Sequence, residues 1–534
     1  MAAPLSQSSA GSLTVRCLGP DGLPLPRAPL AYLCDLDLNP VAVLGPLNPD
    51  GSKTITGLSE RPLLFCAYVE VPGYGRLNFT AANGGAGYPP NGQTLDLLLE
   101  VARHRHLRCL RLLQENGGRG FEPSNALRSQ LTAARELFEA AKASVSGSTA
   151  QAGAALKALA TLGPASEDLV TEIGRWKLKA RGGLRPDQWV STFALYEQRE
   201  GQPWRDAMRP LFDCGVLNWQ WQSILKPDDV CDWSADPFHQ EKVARSLRAM
   251  GKHIRGTAGM WLNRLPPWCK NPSAAALKRM HRAYAAQLAQ RFPEVDCWQI
   301  VSEATGSWDN LGFLEPEDLL SLTRAVSEAT HQANPKADRG VNSVLVWGEE
   351  APARLGQEPV TIAPYNFHRM LNDCGIPYEF IVIQLYFSGW DVFEVDQLLE
   401  TFRQLGKPLH LELAAAAATT PMPACHHFPQ GHPGMLYFTW RRPWDAALQA
   451  EWLARMFEVC LSKDFVREWC WWDLADYDDC YYPWSGLFDK DYRPKESYRR
   501  LEELASKWGA KGNPKTERNP NPEIRTRPQE AAWH

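Results

Sequence analysis

Asp296-Cys297-Trp298-Gln299-Ile300-Val301-Ser302-Glu303-Ala304-Thr305-Gly306 is the stretch on which the fold turns. Residues 298–301 are an apolar run of strand length between breakers, which suits a strand covered on both faces, as in a parallel sheet. The run stops on the polar pair Ser302-Glu303 and passes into a Gly/Ser/Asp/Asn loop from Gly306 to Asn310. In a βα barrel, functional side chains stand at the C-terminal ends of strands, the place Glu303 takes. A carboxyl between Trp298 and Trp308 is expected to have its pKa raised enough to donate a proton near neutral pH. A strand-end Glu that caps the next helix is the other reading of this residue.

Outward from this stretch, strands and helices alternate from 181 to 508. Strand-like runs lie at 216–219, 253–256, 298–301, 341–346, 380–385, 409–413 and 468–472, with amphipathic helices at 236–250, 273–292, 315–334 and 395–405. The alternation argues for a parallel sheet closed or covered by helices. Roughly 330 residues carrying seven or eight such units is the size of a TIM barrel with insertions.

Ahead of the barrel, residues 11–102 read as a β-sandwich module. Short alternating runs, such as 12–17, 30–34, 63–71 and 95–101, are separated by Gly/Pro/Asn turns. Such a module either binds carbohydrate or braces its neighbour. Residues 103–180 form a helical connector. Leu127, Leu131, Ala134, Leu137, Phe138 and Ala141 recur at helical spacing, and further helices are expected at 150–162 and at 166–178, the last capped by Ser166. Residues 509–534 are polar and Pro-rich and are expected to be disordered. The fold expected is therefore α/β: a (β/α)8 TIM barrel preceded by a β-sandwich module and a helical connector.

Of 534 residues, 22% are charged and 44% hydrophobic, the balance of a globular protein. A net charge of −4 gives no electrostatic reason to expect nucleic acid or an anionic membrane as partner. The 21 Trp point toward a glycan, because an indole face matches the C–H face of a pyranose, although most will be core. Thirteen Cys at irregular spacing read as buried free thiols. Cys425-His426-His427 is isolated, so neither a metal nor any other cofactor is expected. The first ten residues lack a basic and an apolar region. As written the chain is expected to be cytoplasmic, or secreted if a leader has been trimmed.

Several pieces, in order, resemble glycoside hydrolase family 10, the retaining endo-β-1,4-xylanases. They are Gly251-Lys-His-Ile-Arg255-Gly256-Thr257-Ala-Gly-Met-Trp261 with Pro266-Pro267-Trp268, then Trp298-Gln-Ile-Val-Ser302-Glu303, Ile383-Gln384-Leu385-Tyr386 and Gly406-Lys407-Pro408-Leu409-His410-Leu411-Glu412. Trp472-Asp473-Leu474-Ala475-Asp476, Trp484, and 486–489 through 494–498 complete the set. The resemblance implies Glu303 as acid/base and Glu412 as nucleophile. It places Asn218, Gln384 and Tyr386 on sugar hydroxyls, Thr257, Trp261 and Ser302 along the cleft, and Trp472 and Trp484 as walls of the cleaved subsite. The implied partner is a polysaccharide or oligosaccharide.

The departures matter. Thr257 and Leu262 stand where the family has His, Ser302 where it has Asn, Tyr386 where it has His, and Trp221 or Gln222 where it has Lys. Two registers remain open for 409–413. An ungapped reading from Pro408 brings Leu413 to the nucleophile position, and a one-residue deletion brings Glu412 there, flipping the face presented to the barrel. Two functions follow: a retaining endo-hydrolase of β-1,4-xylan or a related β-glycan, or a catalytically impaired barrel that binds a glycan through its aromatic cleft.

Overall fold

The computed structural model describes residues 11–25, 31–257, 259–262, 264–306, 310, 314–349, 362–386, 389–413, 416–419, 438–478 and 482–509. Trp308, the Cys425-His426-His427 cluster and the tail beyond Gly509 lie outside the described residues.

The N-terminal strands are β1 (Gly11–Arg16), β2 (Tyr32–Asp35), β3 (Pro40–Val43), β4 (Ser52–Leu58), β5 (Leu63–Val71), β6 (Gly75–Ala81) and β7 (Asn91–Asp96). They form two sheets, a three-stranded β4-β1-β7 and a larger one in the order β6-β5-β2-β3. The run 95–101 is not a strand beyond Asp96. Leu97–Gly117 is helix α1, which buries Leu97, Leu98, Val101 and Ala102. An apolar run this short fits either element, and here packing of α1 on the sheet and on later helices decides it.

Helix α2 (Asn125–Ala143) starts where Ser124 accepts a hydrogen bond from the Leu127 N–H. The two further helices expected from the periodicity are one, α3 (Thr149–Arg181), capped by Ser148 and running through Pro164. Ser166 is inside it and fully buried; its Oγ donates to the Gly163 carbonyl instead of capping an N-terminus.

Eight parallel strands then close into a barrel. In order around it they are β10 (His253–Thr257), β11 (Cys297–Val301), β12 (Asp338–Ser343), β13 (Phe380–Leu385), β14 (Leu409–Leu413), β16 (Val466–Trp471), β8 (Trp189–Phe193) and β9 (Cys214–Asn218). The first barrel strand, β8, precedes every strand-like run expected for the barrel. Its middle is polar because buried Ser191 donates to Glu468 inside the barrel. Strand β15 (Thr439–Trp440) leaves the barrel and pairs antiparallel with β6, making the larger N-terminal sheet five-stranded.

The barrel interior is packed, as the two-residue alternation of strands requires. Near its base His253 stacks on Trp189 (ring centroids 4.5 Å) and His410 on Phe380 (4.2 Å). One step up, Arg255, Gln299 and Glu468 fill the middle, all buried. Farther along, Thr257, Gln384 and Glu412 lie near the C-terminal ends of β10, β13 and β14, and Trp472 just past the end of β16. The described cysteines are free thiols, most of them buried. Among the described residues no helix is long and apolar enough to cross a membrane.

Candidate active site

Glu303 follows β11 with a backbone φ of 53°, a left-handed conformation that a side chain with a Cβ adopts only under constraint. The constraint is visible: Ser302 N–H donates to the Met260 carbonyl (2.8 Å), and Trp261 pairs with Ser302 in a parallel bridge. The chain thereby turns the half-buried Glu303 side chain toward Gln384, whose Nε2 donates to Glu303 Oε1 at 2.6 Å. Burial raises the Glu303 carboxyl from 4.5 to about 7; the Gln384 hydrogen bond pulls it down and the neighbouring Glu412 pushes it up. The Trp261 indole also faces Glu303 and lowers it, although its buried Nε1 makes no well-aligned hydrogen bond.

Glu412 shares its face of β14 with His410, two residues earlier, and β14 pairs with β13 so that Glu412 lies beside Gln384. That register turns Glu412 into the mouth and leaves Leu411 and Leu413 on the opposite face. The same Gln384 Nε2 lies 3.3 Å from Glu412 Oε2, and the Tyr386 hydroxyl donates to that oxygen at 2.8 Å. Below it, Arg255 Nη1 is 2.7 Å from Glu412 Oε1 and Arg255 Nε is 2.9 Å from Glu468 Oε2. These are close ion pairs without aligned N–H···O geometry, since Arg255 Nε and Glu412 Oε1 form no hydrogen bond.

Arg255 Nη1 does donate to Gln299 Oε1 (2.9 Å), and Gln299 Nε2 in turn donates to Ser302 Oγ (2.8 Å). Glu468 also bonds His410 Nδ1 (2.7 Å). Burial pushes Glu468 up, but Arg255 and the bonds from His410 and Ser191 outweigh it and hold the carboxyl at about 2. A buried guanidinium thus carries two carboxylates, an arrangement tolerated only because charges and hydrogen bonds compensate the desolvation.

The remaining residues assemble around this pair. Asn218 and Thr257 end adjacent strands in register, and Asn218 Oδ1 is buried without a hydrogen-bond partner among the described residues. Trp472 packs on Phe193 (centroids 3.8 Å) and edge-on to Tyr386 (5.4 Å). Behind it burial raises Asp473 to about 8, with Ser485 Oγ donating to it at 2.9 Å. Trp484 stands at the rim, 50% exposed, with φ 64°. The Ser302 hydroxyl oxygen accepts from Gln299 Nε2, and Trp221, in the region where the resemblance puts a Lys, donates its indole N–H to the Trp261 carbonyl (2.6 Å).

Arg255, Glu468 and His410 were not singled out as site residues by the sequence reading, and neither was Tyr482, which packs against Tyr386 and Trp472. The signal available was the charge itself: Arg and Glu inside strands whose other residues are apolar must meet each other. Among the described residues no cluster of His, Cys, Asp and Glu could hold a metal ion.

Residues 218–504 match the family model of glycosyl hydrolase family 10. Endo-1,4-β-xylanase B of Thermotoga neapolitana is 23% identical over 310 residues, spanning 53% of this chain and 80% of that protein. Among solved structures, xylanase 10B of Thermotoga petrophila in complex with xylobiose aligns at a TM-score of 0.45 and 18% identity, over 62% of this chain and 96% of that one. Native xylanase 10B of Thermotoga maritima aligns at 0.44 and 19%, over 63% and 97%.

Proposed function

The chain belongs to glycosyl hydrolase family 10, and on that premise we propose that it is a retaining, endo-acting hydrolase of β-1,4-xylan or a related β-glycan. One observation carries the reading: a single amide nitrogen, Gln384 Nε2, contacts both Glu303 and Glu412, at 2.6 and 3.3 Å. The two carboxylate oxygens can be no farther apart than those distances together. That ceiling on the nearest oxygens is compatible with the ~5–5.5 Å separation of retaining glycosidases.

In this reading Glu303, held near neutrality, protonates the glycosidic oxygen as the C–O bond breaks. Glu412, paired with Arg255 and oriented by Tyr386, attacks the anomeric carbon to form a glycosyl ester. Glu303, now ionised, takes a proton from water, which attacks the anomeric carbon and releases Glu412. Asn218 Oδ1, without a hydrogen-bond partner among the described residues, is suited to accept a sugar hydroxyl, and Trp472 and Trp484 to flank the ring, with Trp261 and Thr257 beside it.

A second reading, a barrel that binds a glycan without turning it over, is favoured by a separate set of observations. Leu262 is apolar and fully buried, so that position offers no polar contact, and the Ser302 hydroxyl oxygen already accepts from Gln299. The deciding experiment measures reducing ends from xylan and β-glucan, and chromophore release from aryl β-xylosides and β-glucosides, for wild type, Glu303→Gln and Glu412→Gln. Loss of activity in both variants supports the two-carboxylate mechanism. Activity surviving Glu412→Gln refutes the assigned nucleophile. Glycan binding by calorimetry with no turnover in the wild type supports the second reading.

A further inference from the structure

Just past Trp472 the chain buries Asp473, a carboxyl with no part in the proposed reaction. It reaches across to the turn 482–485. Ser485 Oγ lies 2.9 Å from Asp473 Oδ2, and the Tyr482 backbone amide bonds the same carboxyl. The turn closes on itself where the Ser485 N–H donates to the Tyr482 carbonyl (3.2 Å). Trp471 Nε1 donates to the Ser485 carbonyl (2.9 Å), and Lys495 Nζ to the Trp484 carbonyl (3.2 Å).

The turn carries two aromatic side chains. Tyr482 is buried and packs on Tyr386 (ring centroids 5.2 Å) and edge-on to Trp472 (5.8 Å). Tyr386 is the residue whose hydroxyl bonds Glu412. Trp484 is half exposed at the rim. Its φ of 64° is a left-handed backbone that a residue with a Cβ keeps only where its surroundings impose it.

A serine hydroxyl has one proton to give. Ser485 Oγ has two acceptors in reach, Asp473 Oδ2 at 2.9 Å and the Tyr482 carbonyl at 2.7 Å. With Asp473 ionised, the proton goes to the carboxylate and the Tyr482 carbonyl gives up that donor. With Asp473 protonated, the acid donates to Ser485 Oγ and the hydroxyl donates to the Tyr482 carbonyl, so that a chain of two bonds closes the turn. The charged and titratable groups around Asp473 are Asp476, Lys495 and Tyr477. Lys495 is paired with Asp476 at 2.9 Å. Burial, with Asp476 adding to it, raises the Asp473 carboxyl to about 8, which keeps the closed chain in place at neutral pH.

We infer that Asp473 is a positioning residue for the aromatic wall of the cleft. Through Ser485 and Tyr482 it fixes the turn that presents Trp484, and with it the strength with which a β-linked glycan is held. The inference rests on the proposed glycan-hydrolase reading and deepens it. Asp473 acts through its neighbours and not on the reacting atoms.

The test measures xylohexaose binding by calorimetry in the full chain carrying Glu303→Gln, where neither turnover nor titration of Glu303 intervenes, with melting temperatures recorded alongside. Binding is compared at about pH 6 and about pH 9.5, either side of the Asp473 titration. In this parent the Kd is expected to rise about tenfold in base, the scale of one or two hydrogen bonds. Adding Asp473→Asn supplies an amide that donates to Ser485 Oγ and accepts from the Tyr482 amide as the neutral acid does. That variant is expected to match the parent at the lower pH and to stay flat. Asp473→Ala is expected to bind about tenfold more weakly at both pH values, and in the active chain to raise KM with little change in kcat. Ser485→Ala should behave in the same way, and it carries the test if Asp473→Ala does not fold. A loss in base that persists in Asp473→Asn, or unchanged binding in the folded alanine variants, would overturn the inference and leave Asp473 a core residue. A parent that binds neither xylohexaose nor β-glucan, with a wild type that cleaves neither, would refute the underlying glycan reading instead.

Discussion

Replacing Glu303 by Gln should stabilise the protein at alkaline pH while removing its activity. The amide oxygen of the substituted side chain can accept the same hydrogen bond from Gln384 Nε2 that Glu303 Oε1 accepts now at 2.6 Å, so geometry is conserved and only the charge is lost. Glu303 titrates near 4.5 when exposed and at about 7 in the folded chain, mainly through burial. The folded state therefore binds the proton more tightly than the unfolded state. Stability owed to that proton is fully present below 4.5 and is lost as pH rises through 7. A gap of this size corresponds to up to about 3 kcal/mol, all of it felt by wild type at alkaline pH and none by the amide.

The assay is thermal or denaturant unfolding of both proteins at about pH 4 and about pH 8, either side of the two titrations. The two should coincide in acid, and the variant should be the more stable by several degrees in base, with hydrolysis of unactivated glycans lost throughout. Equal stability in base would refute the argument, because a carboxylate that is not penalised in its site has no reason to stay protonated near neutrality. A proton-donor role for Glu303 would then lose its physical basis.

Arg255→Met removes the guanidinium that pairs with both Glu412 and Glu468 and leaves the two buried carboxylates to their hydrogen bonds alone. It should cost about 3–5 kcal/mol in chemical denaturation, and a loss below about 1 kcal/mol would contradict the ion-pair geometry. Tyr386→Phe deletes a donor to a carboxylate, worth about 1.5–3 kcal/mol; kcat/KM should fall some tenfold to a hundredfold, and an unchanged value would show that the hydroxyl does not orient Glu412. Gly348→Ala places a Cβ 3.1 Å from the Leu38 carbonyl oxygen at a φ of +80°, and should lower the melting temperature by loosening the β2–β3 connection from the barrel, whereas Gly406→Ala, with open space around it, should show the backbone penalty alone.

How much of this was legible beforehand depended on how local the cause was. The strands bearing Trp298, Ile383 and Leu411 announce themselves because an apolar run between breakers is a property of a few adjacent residues. Glu303 could be singled out for the same reason: it ends such a run. The run from Leu95 to Val101 carries the same composition and yet turns helical at Leu97, and α3 passes through Pro164 and Ser166 without a break, because burial against distant elements outweighs local propensity there. β8 was invisible because its polar centre, Ser191, is satisfied by a carboxylate on the last strand of the barrel.

By itself, then, the sequence determined that strands and helices alternate around a closed parallel sheet, that a carboxylate ends the strand at Glu303, and that the motifs align in order with one family. Only the tertiary structure decided which way Glu412 points. A shift of one residue in β14 exchanges Glu412 for Leu413, and nothing in the neighbouring sequence distinguishes the two registers. The choice is made by His410 reaching Glu468 and by Arg255 lying between the carboxylates, contacts between residues far apart in the chain. The docking of the N-terminal sheet onto the barrel is of the same kind. It rests on pairing between β6 and a two-residue strand from the far side of the barrel sequence, and such pairing is selected by the shape of the assembled chain and not by the composition of either partner.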